Sequence, residues 1–223
     1  MKPTVFITKK IPREVEEYIS RHCNYEIWDK NQPITRKELL GKIENIDGIM
    51  TTKESIDEEF LNYAKNIKIV SNIAVGYDNF DVELMRNNNV KGTHTPHVLD
   101  ETVADTAFGL LVMTSRKLSY LDRYVKEGQW KTKEHESFLG KDIHNSTLGV
   151  IGSGRIGEKI IRRATLGFNM EVLYHNRSRN KEIENKYNAQ YTSKEKLLKE
   201  ADFIMTLLPL NKQLIIYHMK SLN

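Results

Sequence analysis

Residues 147–157, Thr-Leu-Gly-Val-Ile-Gly-Ser-Gly-Arg-Ile-Gly, carry an apolar run straight into Gly152-x-Gly154-x-x-Gly157 and then into a helical pattern. Strand, glycine turn and helix in that order point to an α/β fold with a parallel sheet and mark a dinucleotide site. Each glycine has its own physical task. Gly152 makes the tight turn, Gly154 lets the backbone approach a pyrophosphate, and Gly157 lets the helix pack against the strand. Free N–H groups at the helix start, from about Gly154 to Ile156, and the positive end of the helix dipole favour negative charge there.

The surroundings agree with the motif. Leu148–Ile151 suits a strand buried on both faces, and Arg155–Leu166 carries Ile156, Ile160, Ile161 and Ala164 at helical spacing. A second strand, Glu171–Tyr174, is expected after Gly167. An NAD-preferring site places an acidic residue about 20 residues beyond the glycines, where it accepts bonds from the adenine ribose. Here the chain reads His175-Asn176-Arg177-Ser178-Arg179, two guanidinium groups around a hydroxyl and no acid. Such a set suits a 2′-phosphate, so NADP(H) is expected in preference to NAD(H), which stays possible. The competing reading is that these arginines are ordinary solvated loop residues.

Composition sets outer limits. A chain of 223 residues, 39% hydrophobic and 29% charged, is long enough for one large or two modest globular domains. The net charge of +4 comes from Lys and Arg dispersed among nearly as many Asp and Glu, which argues for a solvated surface and against a nucleic-acid partner. The lone Cys23 cannot form an internal disulfide and fits a reducing cytoplasm, packed after a helix. Lys2–Thr8 is too short for a signal sequence and no run reaches membrane-span length, so a soluble cytoplasmic protein is expected.

Strands and helices alternate from the N-terminus. Thr4–Thr8, Tyr25–Trp28, Gly48–Thr51, Lys68–Asn72 and Val90–Thr93 read as strands, with helices starting at Pro12, Thr35 and Asp57. Residues 1 to 97 form one small doubly wound unit, and the glycine motif opens another, 98–223. Asp100–Leu118 between them is apolar around most of its circumference and must be buried on several sides. A homodimer through this helix satisfies that requirement, as does burial within one chain. His94 and His97 bracket Thr95-Pro96, but no third ligand is evident, so no metal site is expected. Lys53, after the Gly48–Thr51 strand, is placed to attract an anionic substrate or simply to meet solvent.

Several motifs in fixed order resemble the D-isomer-specific 2-hydroxyacid dehydrogenase family, most closely its glyoxylate/hydroxypyruvate reductase branch. They are Asn72-Ile-Ala-Val-Gly-Tyr-Asp-Asn-Phe-Asp81, Thr95-Pro96, Glu101-Thr-Val-Ala-Asp105, Gly128-x-Trp130, the glycine motif and Leu208-Pro209-Leu210. The resemblance implies a flavodoxin-like substrate domain (1–97) and a Rossmann-type parallel-sheet cofactor domain (98–223), both incomplete. It implies reversible hydride transfer between nicotinamide C4 and C2 of a small 2-oxo acid, glyoxylate or hydroxypyruvate.

Roles follow residue by residue from the resemblance. Val75 and Gly76 offer backbone N–H groups to the substrate carboxylate. Thr102 lies beside the cofactor or caps its helix. Gly152, Ser153, Gly154, Arg155, Ile156 and Gly157 hold the pyrophosphate, Asn176, Arg177, Ser178 and Arg179 the 2′-phosphate, and Pro209 a loop over the cofactor. The Arg, Glu and His that usually clamp the carboxylate and move the proton are expected beyond residue 223, and Asn211–Asn223 fits the family pattern poorly. The sequence therefore suggests a C-terminally truncated chain of doubtful activity, low in stability and prone to associate through the long helix and an unpaired sheet edge. A non-catalytic NADP-binding or regulatory remnant is the alternative.

Overall fold

The computed structural model describes residues 1–131 and 136–208, and contacts divide the chain into two compact units, the first ending at Val98 and the second beginning at Leu99. In the first unit the chain alternates strand and helix: β1 (Thr4–Ile7), α1 (Arg13–His22), β2 (Asn24–Ile27), α2 (Arg36–Leu40), β3 (Gly48–Thr51), α3 (Glu58–Tyr63), β4 (Ile69–Asn72), α4 (Val82–Asn87) and β5 (Lys91–Thr93). Every strand pairing is parallel, in the order β2-β1-β3-β4-β5, which is the flavodoxin-like arrangement.

Local chemistry sets the helix starts. Thr35 caps α2 in a reciprocal box with Glu38, and Asp57 and Asp81 cap α3 and α4 by accepting from Phe60 and Leu84 N–H. Pro12 sits one residue earlier than first-turn placement would have it, as the N-cap of α1. The core closes on Phe6, Leu39, Ile43, Ile49, Ile56, Phe60 and Val70, each at most 1% exposed. Full burial of side chains this size contributes about 1.5–3 kcal/mol each. Cys23 follows α1 as its C-cap and is half-buried.

The second unit opens with α5 (Asp100–Ser115) and α6 (Leu118–Lys126) and continues through β6 (Thr147–Ile151), α7 (Arg155–Phe168), β7 (Glu171–His175), α8 (Lys181–Tyr187), β8 (Gln190–Tyr191), α9 (Lys194–Glu200) and β9 (Phe203–Thr206). Its parallel order, β8-β7-β6-β9, is the 3-2-1-4 arrangement of a Rossmann sheet. Leu148, Val150, Ile160, Ile161, Ala164 and Ile183 are wholly buried between β6, α7 and α8. Among the described residues no helix is long and apolar enough to cross a membrane.

Three sequence expectations are corrected here. The stretch 100–118 is not one helix: Lys117 takes a left-handed φ of 55°, so α5 stops at Ser115 and α6 starts at Leu118. Burial of α5 on several sides within one chain, one of the two readings of its apolar pattern, is not found. Ala104, Phe108, Leu111 and Ser115 face the core, whereas Val103, Leu110 and Met113 are exposed. The helical spacing read over Arg155–Leu166 extends through Gly167 to Phe168, and Asn169 makes the left-handed C-cap.

Candidate functional site

The glycine turn sits where β6 ends and α7 begins. Gly152 has φ +99°, a conformation that side chains resist, and a Cβ there would meet the Leu207 carbonyl at 2.5 Å. A Cβ on Gly157 would meet the Gly152 carbonyl at 2.4 Å, so the helix approaches the turn as closely as it does only with glycine at that position. Gly154, the N-cap, faces open space, leaving its backbone free to be approached. Arg155 and Ile156 begin the helix, where N–H groups have no intrahelical acceptor. These features fit a pyrophosphate against a helix N-terminus.

Ser153 behaves differently from its neighbours. It is 2% exposed, its N–H donates to Asn176 Oδ1 (3.0 Å), and its Oγ accepts from Asn176 Nδ2 (2.8 Å). Asn176 thus ties the end of β7 to the turn and fixes which amides point outward. Arg177 and Ser178 follow on the surface, and Arg177 has no carboxylate partner among the described residues. Arg179 is engaged: Nη2 donates to Glu184 Oε2 (2.7 Å), Nε to Oε1 (3.0 Å), and the guanidinium lies over the Tyr191 ring. The Tyr174 hydroxyl also donates to Glu184 (2.6 Å). Arg179 first, then that hydroxyl, holds the Glu184 carboxyl below its ordinary range.

Helix α5 is locked to α7 by charge. Arg155 approaches Asp100 (3.3 Å), and Glu101 meets Arg162 (3.1 Å) and Arg163 (2.8 Å), while Arg163 also pairs with Asp105. Thr102 therefore lies on an exposed first turn at the end of the unit that carries the glycine turn. The Leu207 N–H donates to the Ile151 carbonyl (2.8 Å), bringing the chain after β9 back beside that turn. Pro209 lies outside the described residues.

In the first unit the loop after β4 presents a distinct feature. Three successive carbonyls accept bonds: Ala74 from Thr95 N–H (3.0 Å), Val75 from His94 Nδ1 (2.9 Å) and Gly76 from Asn72 Nδ2 (2.7 Å). The N–H groups of Val75 and Gly76 find no acceptor among the described residues. With the carbonyls tied back, this segment can present donors to an anion. Sequence reasoning missed Asn72 and His94 as its clamps. His94 drew notice only as half of a metal pair, and among the described residues no cluster of three His, Cys, Asp or Glu could hold a metal.

A Rossmann sheet, a glycine turn at a helix start and a preceding flavodoxin-like unit define a dinucleotide-dependent α/β protein of two units. The model for the NAD-binding domain of D-isomer specific 2-hydroxyacid dehydrogenases matches residues 108–217. Glyoxylate reductase from Thermococcus onnurineus is 41% identical over 98% of this chain and 66% of its own length. Glyoxylate/hydroxypyruvate reductase B from Yersinia pestis is 38% identical over 98% of this chain and 67% of its own. Among solved structures, the TT0316 protein from Thermus thermophilus superposes with a TM-score of 0.84 at 33% identity, covering 94% of this chain and 66% of that one. The chain belongs to the D-isomer specific 2-hydroxyacid dehydrogenase family and spans about two thirds of the length of these relatives.

Proposed function

We propose that the protein is an NADP(H)-dependent reductase of a small 2-oxo acid, glyoxylate or hydroxypyruvate, with the substrate domain in residues 1–97 and the cofactor domain in 98–223. The observation that carries the cofactor reading is the end of β7. There Arg177 has no carboxylate partner among the described residues and stands beside Ser178, while the neighbouring acid, Glu184, is saturated by Arg179 and Tyr174. A ribose-accepting carboxylate is thereby lacking at that edge among the described residues, and a 2′-phosphate finds a cation and a hydroxyl.

NADPH, when bound, supplies the hydride delivered to C2 of the oxo acid. The chain's own residues position the reactants. The N–H groups of Gly154, Arg155 and Ile156 take the pyrophosphate, Asn176 keeps the turn in shape, and Thr102 stands beside the cofactor. Val75 and Gly76 donate to the substrate carboxylate, with their carbonyls held by His94 and Asn72. The family resemblance of the two named reductases supports the substrate class.

The exposed Val103, Leu110 and Met113 of α5 support a homodimer through that helix. The lone Cys23 supports a cytoplasmic location. Fluorescence titration of the protein with NADPH and NADH tests the cofactor reading: tighter NADPH binding is expected, and tighter NADH binding would refute it.

A further inference from the structure

A cavity of about 730 Å³ lies in the first unit at the carboxyl ends of β1, β2 and β3, a size ordinary for small-molecule sites. In the order β2-β1-β3 the chain leaves β1 to one side and returns to the other, and the crevice at such a reversal is where open α/β sheets take ligands. The loops after β1 and β3, Thr8–Lys10 and Thr52–Asp57, form facing parts of its lining.

Charge in this crevice is unbalanced. Five cationic side chains line it against two carboxylates, and both carboxylates are committed. Asp57 pairs with Arg36 and caps Phe60 N–H; Glu54 accepts from the Thr51 hydroxyl and from the Thr52 and Lys53 amides. Lys10 and Lys30 are paired with Asp29 and Glu38 (each 3.0 Å). Lys9 and Lys53, one on each loop, have no carboxylate partner among the described residues.

A second, independent observation lies in the lining itself. Thr8 is 4% exposed, and its buried Oγ1 has no hydrogen-bond partner among the described residues. A buried hydroxyl left unpaired is unfavourable, and an acceptor bound in the crevice would relieve it.

We propose that this crevice is a binding site for a small dianionic oxyanion, a phosphate monoester in chemical class, held by Lys9, Lys53 and the Thr8 hydroxyl. Two unpaired ammonium groups match a charge of minus two, and the hydroxyl supplies a directed donor. The site is separate from the Val75–Gly76 amides and needs no nicotinamide cofactor, so it goes beyond the reductase reading.

Trp28 lines the same cavity, with Nε1 donating to the Gln32 carbonyl (2.8 Å) and Lys30 over its ring, so it reports on occupancy. The protein has two tryptophans, and Trp130→Phe leaves Trp28 alone. In that background, inorganic phosphate at pH 8 and constant ionic strength is expected to change Trp28 emission saturably, whereas chloride does not. Lys9→Ala and Lys53→Ala should each weaken the response at least fivefold. Thr8→Val should weaken it without lowering the melting temperature. Gly154→Asp, whose side chain enters open space at the cofactor turn, should leave the response as it was. The proposal is overturned by an unsaturable response, by an equal response to chloride, by lysine variants that bind as well as the parent, or by loss of the response in Gly154→Asp. The last result would move the phosphate to the glycine turn. Failure of NADPH binding alone bears only on the reductase reading.

Discussion

The Ser153 N–H donates to Asn176 Oδ1 at 3.0 Å, and Asn176 Nδ2 returns a bond to Ser153 Oγ at 2.8 Å. This exchange joins the ends of two neighbouring strands, β6 and β7, so the glycine turn and the end of β7 keep one geometry. Asn176→Ala strands the Ser153 amide, which is buried, at a cost of about 1–3 kcal/mol. The melting temperature is expected to fall by several degrees, and NADPH and NADH to weaken together. An unchanged melting point would mean the pair does not hold the turn.

Cofactor choice is expected to respond to different residues. Arg177→Ala removes the unpaired cation and should weaken NADPH by about ten- to a hundredfold, the range of one charge-assisted bond, while leaving NADH nearly unchanged. Glu184→Gln should act in the opposite direction by releasing Arg179 toward the phosphate. Calorimetric titration of both variants with both cofactors reads the effect. Equal losses for NADPH and NADH in Arg177→Ala would remove this residue from the 2′-phosphate.

The architecture was legible because its signals are local. The apolar run before Gly152, the helical spacing of Ile156, Ile160, Ile161 and Ala164, and the caps Thr35 and Asp57 each act within a few residues. The breaks were less legible. Nothing in the apolar pattern announces that Lys117 turns left-handed, or that the helix read to Leu166 runs on to a left-handed cap at Asn169. The clamps on the loop after β4 were hidden for another reason. His94 reaches Val75 across 19 residues, and such a pairing exists only once β4 and β5 are side by side.

Asn72 offers the direct test of that loop. It is 2% exposed, and its Nδ2 donates to the Gly76 carbonyl (2.7 Å) and to Asn79 Oδ1 (3.1 Å). Asn72→Leu keeps the volume and removes both bonds. Glyoxylate binding to the NADP⁺-loaded protein, which has no hydride to give the oxo acid, should weaken about thirtyfold by calorimetry while NADPH binding holds, the two lost bonds together contributing about 2 kcal/mol. Unaltered glyoxylate affinity would detach the Val75–Gly76 amides from the substrate.

The α2 cap predicts a pH effect with a definite sign. The Thr35 hydroxyl, then its amide, then the Lys30 ammonium lower the Glu38 pKa to about 2. A depressed carboxyl stabilises the fold above its unfolded value, near 4.3, and that contribution fades as pH falls toward 2. Carboxyl-detected NMR should place the Glu38 midpoint near 2, with α2 amides losing protection over the same interval. A midpoint near 4.3 would show that the box does not persist in solution.

The exposed stripe on α5 can be tested without any ligand. Leu110 is 57% exposed, with Val103 and Met113 as apolar neighbours on the same helix and Phe108 and Leu111 turned to the core. A charge placed at 110 leaves that core untouched but puts an unpaired ion into any interface the stripe forms. Leu110→Lys is therefore expected to convert a dimer to monomer in sedimentation velocity with its circular dichroism spectrum preserved. A parent protein that sediments as a monomer would refute the dimer, and a dimer indifferent to the lysine would place the subunit contact elsewhere.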